Sequence, residues 1–276
     1  MKFCHIAPVA HLDLVKDRSA HLTLAHLIDE GHQDYIDFYK NEKFDINIMD
    51  NSAFELYKAQ LPMFDPEKLV GLAQQVNATH IVLPDHPSHP SMVGIDDAKR
   101  YAPVFKEAGF GTFFVPQSDV LDLEDLITSF AWAASSPLID YIGISILAVP
   151  NAYNCEQGNN LQRFMCRWKF MNELYDRNLL QLAAQNGKKI HFLGMVDGPM
   201  EIPLVRDFHI DTWDSSAGVW AGLNGLAFDH SPTGLTNGKF EKHVDFQAKF
   251  EDTTLAESNM RVIDNLVDRY NFTEKL

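Results

Sequence analysis

Acidic and amide residues recur at one kind of place in this chain, directly behind short apolar runs. Asp50 follows INIM in NIMDNSAFE, Asp85 stands in IVLPDHPSHP, Gln117 in FFVPQSD, and Asp214 in DTWDSSAG. Ser145 ends YIGIS, and Gly194 follows KIHFL. If each run is a strand of a parallel barrel, these residues converge on one mouth, where such folds carry their chemistry. Three carboxylates and an amide would then share a pocket. That is costly unless they meet a ligand or shift their pKa values, and these residue types suit acid–base and nucleophilic work. Each Asp taken singly also reads as a cap of the following helix or turn. Four polar side chains in the same relative position weigh against that reading for the set.

The elements that must position them alternate between short apolar strands and helices, the pattern of βαβ units. Strands are predicted over Phe3–Ile6, Ile46–Met49, His80–Leu83, Thr112–Val115, Tyr141–Ser145, Lys189–Leu193 and Ile210–Trp213. Asp65-Pro66 reads as an N-cap with proline in the first turn, followed by Leu69, Leu72, Ala73 and Val76 on one face. A helix ending at Ala108 stops at Gly109, a left-handed cap. A long helix or helix pair spans about 160–186, and another helix closes the chain over Thr254–Tyr270. Seven strand signals predict a (β/α)₈ TIM-type barrel in a single domain, 1–276, with the eighth strand expected within Leu223–Phe250. No G-x-G-x-x-G follows the first strand, which argues against an open doubly wound sheet. The Gly/Asn/Asp-rich run Ala221–Gly238 reads as a long functional loop.

Composition narrows the class. At 276 residues, 46% hydrophobic and 22% charged, the chain has the make-up of an ordinary globular protein with a sizeable core. The start, MKFCHIAPVAHLDLVKD, shows no signal-peptide pattern, and no stretch approaches the roughly 20 apolar residues of a membrane span. Cys4, Cys155 and Cys166 are widely spaced and odd in number, which argues against a disulfide framework or thiolate metal cluster and fits a reducing cytoplasm. Cys4 and Cys166 read as buried small hydrophobes. A formal charge of −15 repels nucleic acid over the molecule as a whole and by itself favours a small-molecule substrate. A local basic groove can coexist with it.

Several of these segments together resemble the tRNA-guanine transglycosylases. MDNSAFELY resembles their D-S-G-G-F-Q segment, and HIDTWDSSAG the segment ending V-D-x-F-D-C that carries their nucleophilic aspartate. VPQS looks like their V-Q-G, VLPD like the strand ending in their base-reading aspartate, and SILAV like G-G-L-A-V. The likeness runs in order from about Ile46 to Ala217. It implies Asp214 as nucleophile, Asp50 as general acid/base, and Phe54 as the aromatic stacked on the bound base. It further implies Asp85 and Gln117 on the guanine edge, with Ser145, Leu147, Gly194 and Met195 against the substrate. Guanine would leave through a covalent glycosyl-enzyme, and a 7-deazaguanine would take its place. The target nucleotide would be flipped out of any duplex. No cofactor is expected.

The departures shape the expectation further. Ser145-Ile146 stands where the family has Gly-Gly, and Glu55 where it has Gln after the stacking Phe. No cysteine follows Cys166, so the family's zinc-binding subdomain, which helps to hold tRNA, is not expected here. A compact, zinc-free relative resembles the phage enzymes that place 7-deazaguanine into DNA, which would work in the host cytoplasm. DNA is therefore the expected substrate and tRNA the alternative, and the expected protein partner is a second copy in a homodimer or a basic protein that would offset the acidic charge. Two other classes stay open: a metal-dependent TIM-barrel hydrolase of a small molecule, and a catalytically silent nucleic-acid-binding subunit. Twelve histidines, with His86 and His89 in DHPSHP and His5 ending the first strand, motivate the hydrolase. Their spacing matches no H-x-H or H-E-x-x-H pattern, and DHPSHP reads better as a proline-stiffened loop shaping the pocket. In QRFMCRWKFMNELYDR, the expected arrangement is Phe164, Trp168 and Met171 toward the core with Arg163, Arg167 and Lys169 solvated. The other reading is a phosphate-contacting face. Trp213 is expected to alternate away from Asp214 into the core.

Overall fold

A computed structural model describes residues 1–156, 159–195, 198–228 and 244–270. Eight parallel strands run through the described residues: β1 Lys2–His5, β2 Ala20–Leu24, β3 Ile46–Asp50, β4 His80–Val82, β5 Gly111–Phe114, β6 Tyr141–Ser145, β7 Lys189–Leu193 and β8 Thr212–Ser215. They form one sheet in the hydrogen-bonded order β2-β3-β4-β5-β6-β7-β8-β1. Its two end strands, β1 and β2, lie beside each other, so the sheet is a nearly closed barrel. With helices alternating between the strands, the chain is a (β/α)₈ TIM-type barrel.

The eighth strand does not come from the described residues of Leu223–Phe250. It is β2, Ala20–Leu24, in register with β3 from Ala20↔Ile46 to Leu24↔Asp50. All five of its residues are buried, including His21 and Thr23, so its polar side chains hide a strand buried on both faces. Helix Ala25–Asp29 follows without an intervening turn, which removes the usual boundary signal. The run Ala221–Gly238 is not loop throughout. Ala221–Leu223 belong to the buried helix Ala217–Leu223, and residues 229–243 lie outside the described residues.

The helical punctuation follows its chemistry. Asp65 caps Pro66–Gln75, its carboxylate accepting the Glu67 N–H at 2.8 Å, with Leu69, Leu72 and Ala73 buried. Gly109, at φ +89°, ends the helix Ser91–Glu107. The long helical stretch is a pair, Asn160–Asp176 and Leu179–Gln185, parted at the left-handed Asn178. Helix Thr254–Arg269 closes the described chain and packs against Ala217–Leu223.

Alternation along the strands sorts the interior from the helix layer. The His191, Thr212 and Phe113 side chains meet inside the barrel: the His191 ring is 2.7 Å from Thr212 Oγ1 and 5.1 Å, edge on, from the Phe113 ring centroid. Trp213 faces the other way. It is fully buried against Phe3 and Phe192, with centroids at 6.4 and 4.7 Å. Asp214, its neighbour, therefore points inward, beside Cys4 in the β1–β8 register. Cys4 and Cys166 are buried, and burial pushes both thiols well up, Cys166 to about 12.

Arg167 departs from expectation. It is not solvated but fully buried, with Glu201 equally buried beside it. Its five N–H donors all find acceptors. Nε and NH2 reach the two Glu201 oxygens at 2.7 Å each, NH1 reaches Ile144 O at 3.1 and Leu193 O at 2.9 Å, and NH2 reaches Gly194 O at 2.9 Å. The guanidinium also lies over Phe192 and Trp213, 4.7 and 5.2 Å from the ring centroids. Lys169 is exposed, Phe164 and Trp168 are half-buried, and Met171 is buried.

Candidate active site

The strand ends enclose a cavity of about 530 Å³, large enough for a nucleobase and its sugar. Asp50, Phe54, Asp85, Gln117, Ser145, Leu147, Gly194, Met195 and Asp214 all line it. The structure thus brings together every residue that the sequence singled out for the site.

Asp214 lies on β8 and is held from beneath. Its Oδ1 takes the His191 Nε2 at 2.9 Å and the Gly194 N–H at 3.2 Å. A carboxylate only accepts, so Nε2 carries a proton toward Asp214, and Nδ1 lies 2.7 Å from the Thr212 hydroxyl. The histidine is fully buried and fixed at both nitrogens. Oδ2 meets no hydrogen-bond donor among the described residues and is left to the cavity. Gly194 can aim its N–H this way because it sits at φ +71°, and a Cβ there would lie 2.9 Å from the Ile146 side chain. Its carbonyl is pinned by Trp213 Nε1 at 2.7 Å and by Arg167. Arg167 also donates to Leu193 O, the carbonyl of the peptide whose N–H reaches Asp214, so the buried Arg167–Glu201 pair fixes that peptide.

Asp50 ends β3 across the same cavity. Its Oδ2 accepts the Ser52 N–H at 2.8 Å, and Ser52 is held at φ +57° by His26. The His26 backbone N–H donates to Ser52 Oγ at 3.1 Å, and Nδ1 takes the serine proton at 2.9 Å. Burial pulls the His26 pKa down, which suits an accepting, neutral ring. Burial pushes the Asp50 carboxyl well above the usual carboxylate range, and the charges of Glu55, Asp85 and Asp214 push it further. Burial also raises Glu55, with Asp214 adding to it, and raises Asp85. No basic side chain among the described residues forms an ion pair with these three.

Asp85 and Gln117 form a polar wall. Gln117 Nε2 donates to Asp85 Oδ2 at 3.2 Å. Asn51 Nδ2 donates to Asp85 Oδ1 at 3.0 Å and to Leu83 O at 2.8 Å, while its own Oδ1 takes the Ala53 N–H. Phe54, 46% exposed, stands at the rim as the aromatic surface, with Leu147 and Met195 as apolar wall. Ser145 turns its oxygen to the N–H groups of Leu147 and Ala148, at 3.0 and 3.2 Å, and keeps only its proton to offer a ligand. In DHPSHP, Pro87 lines the cavity while His86 pairs with Asp97 at 2.7 Å and His89 with the Pro87 carbonyl. His5 lies under helix Thr254–Arg269, 2.9 Å from Asp264, which also holds Arg18. Among the described residues, no group of three or more His, Cys, Asp or Glu is placed to hold a metal ion. No helix among them is long and apolar enough to cross a membrane.

Sequence reasoning missed five contributors. Asn51 and Glu55 sit inside the same segment as Asp50 and Phe54, and Glu55 drew notice only as a departure from the family. His191 is the middle of KIHFL, where period-2 alternation puts it on Asp214's face. Arg167 and Glu201 lie 34 residues apart, and no local signal joins them. The chain matches no protein-family model, and no curated protein is significantly similar to it.

Proposed function

We propose that the protein exchanges guanine for a 7-deazaguanine in a polynucleotide, most readily DNA, through a covalent Asp214–glycosyl intermediate. One observation carries the reading: Asp214, held through Oδ1 by His191 and Gly194 among the described residues, offers Oδ2 to a cavity it shares with Asp50, a carboxyl that burial pushes well above the usual range. In the first half-reaction Oδ2 attacks the anomeric carbon, and the bond to guanine breaks with its electron pair going to the base. Asp50, whose carboxyl is pushed well above the usual carboxylate range by burial and then by its acidic neighbours, supplies the proton that the leaving base takes. In the second, the Asp50 carboxylate removes the ring N–H proton of the incoming base. That nitrogen attacks the same carbon and frees Asp214.

Asp85 accepts from the N1–H and N2–H edge, and Gln117 turns its amide to O6. The long Gln117–Asp85 contact is the one that a base replaces with better hydrogen bonds. A base lacking this edge would leave buried polar groups unpaired, which gives selectivity. Phe54 stacks on the exposed ring face. The likeness to the zinc-free phage enzymes is what favours DNA over tRNA.

The test is incorporation of labelled guanine into duplex DNA and into tRNA. Label enters DNA with the wild-type protein and not with Asp214→Asn, which keeps the fold and loses the nucleophile. Absence of incorporation into either polymer overturns the proposal, and incorporation into tRNA alone overturns the choice of DNA.

A further inference from the structure

Four carboxylates line the cavity, and a single cationic side chain, Arg163, stands among its described lining residues. Arg163 belongs to the first turn of helix Asn160–Asp176. Its backbone is engaged in the ordinary way, the N–H to Asn159 O at 3.2 Å and the carbonyl to the Cys166 thiol. The guanidinium differs. Among the described residues it makes no hydrogen bond and no ion pair, and its Nε is sealed from solvent without a partner. Arg167, one turn further along, has every donor satisfied, which makes the contrast sharp. In a chain with 38 acidic and 23 basic residues, a guanidinium bordering a carboxylate-rich cavity and touching none of them calls for an external acceptor.

We infer that Arg163 binds a backbone phosphate of the strand whose base enters the cavity. The inference rests on the base-exchange reading above. A neutral base and its sugar need no cation, so the chemistry that calls for this guanidinium is the phosphodiester beside them. The planar fork matches two phosphate oxygens, and its charge offsets the repulsion that Asp50, Glu55, Asp85 and Asp214 exert on an anion. Arg163 thereby adds affinity for a nucleotide over a nucleoside and helps an acidic protein hold a polyanion at this point of its surface.

Titration calorimetry with guanine, deoxyguanosine and deoxyguanosine 5′- and 3′-monophosphate tests this on the wild type, Arg163→Gln and Arg163→Lys. At low salt the wild type binds one of the monophosphates about ten- to a hundred-fold tighter than the nucleoside. Arg163→Gln removes that preference and leaves affinity for guanine and deoxyguanosine within about two-fold, while Arg163→Lys keeps part of it. The unchanged guanine affinity of the variant also reports an intact fold. A wild type that binds guanine but shows no preference for either monophosphate overturns the role of Arg163 alone, as does a preference that survives Arg163→Gln. A wild type that binds neither guanine nor deoxyguanosine overturns both this inference and the base-exchange reading.

Discussion

Glu201→Gln isolates what the buried ion pair contributes. Both partners are fully buried, and Arg167 places two of its five donors on the Glu201 oxygens at 2.7 Å. A glutamine oxygen keeps one of these bonds, but its NH₂ faces a guanidinium N–H and the opposite charge is gone. Leaving a buried charge uncompensated costs about 3–5 kcal/mol, roughly a fifth or more of a total stability of about 5–15 kcal/mol. At roughly 2–3 °C per kcal/mol for a chain of this size, the Tm falls by about 6–15 °C. Urea and thermal unfolding read the loss. The double variant Arg167→Met/Glu201→Leu regains at least half of it. It removes both charges, Leu193 O keeps the Ile146 N–H, and Gly194 O keeps Trp213 Nε1. A loss below about 1 kcal/mol in Glu201→Gln, the scale of an exposed pair, would refute this reasoning.

Three further outcomes follow from the same geometry. Asp50 has a folded-state pKa raised by burial and neighbouring carboxylates, so its stabilising contribution is complete below the ordinary Asp value near 4 and lost as pH rises through the folded value. Asp50→Asn, which has no proton to lose, therefore raises the Tm near pH 8 and gains much less near pH 4, while guanine exchange collapses. Equal destabilisation at both pH values counts against it. Gly222→Ala places a Cβ 2.3 Å from the Ala256 backbone, where helix Ala217–Leu223 crosses the closing helix. Backbone cannot step aside as a side chain can, so the variant loses about 1–3 kcal/mol in urea unfolding, and an unchanged midpoint contradicts the packing. Gly194→Ala strains a residue at φ +71° and presses on Ile146. It lowers exchange more than guanine affinity, because it moves the N–H that orients Asp214, and a proportional fall in both argues otherwise.

The fold was legible where strands announce themselves. TFFV and YIGIS are apolar runs bounded by turn residues, and their positions survived to within a residue or two. β2 was not legible, because AHLTL is short, carries His21 and Thr23, and runs straight into a helix. Its burial is decided by neighbours on both sides rather than by its own pattern. The site was legible as a set of strand-end positions, since parallel-barrel topology alone converts those positions into proximity. What sequence could not reach were side chains whose work is done through another residue. His191 sits beneath Asp214, Asn51 behind Asp85, and Arg167 behind Gly194. Each depends on contacts between separate βα units, and no spacing within one segment encodes them. The solvated face expected for Arg167 failed for that reason: its acceptors lie on β6, on β7 and beyond Gly194.

The central claim is a bond between Asp214 and a sugar carbon, and it is tested most directly by trapping that species. Wild-type protein is incubated with guanine-containing duplex DNA, without an incoming base, and run on a denaturing gel beside Asp214→Asn and a parallel tRNA reaction. The account predicts a slowly migrating protein–DNA band that forms with the wild type, disappears on adding excess 7-deazaguanine, and is missing in Asp214→Asn. Peptide mapping should place the linkage on Asp214. An adduct mapped to another residue, or exchange proceeding at full rate in Asp214→Asn, would contradict it.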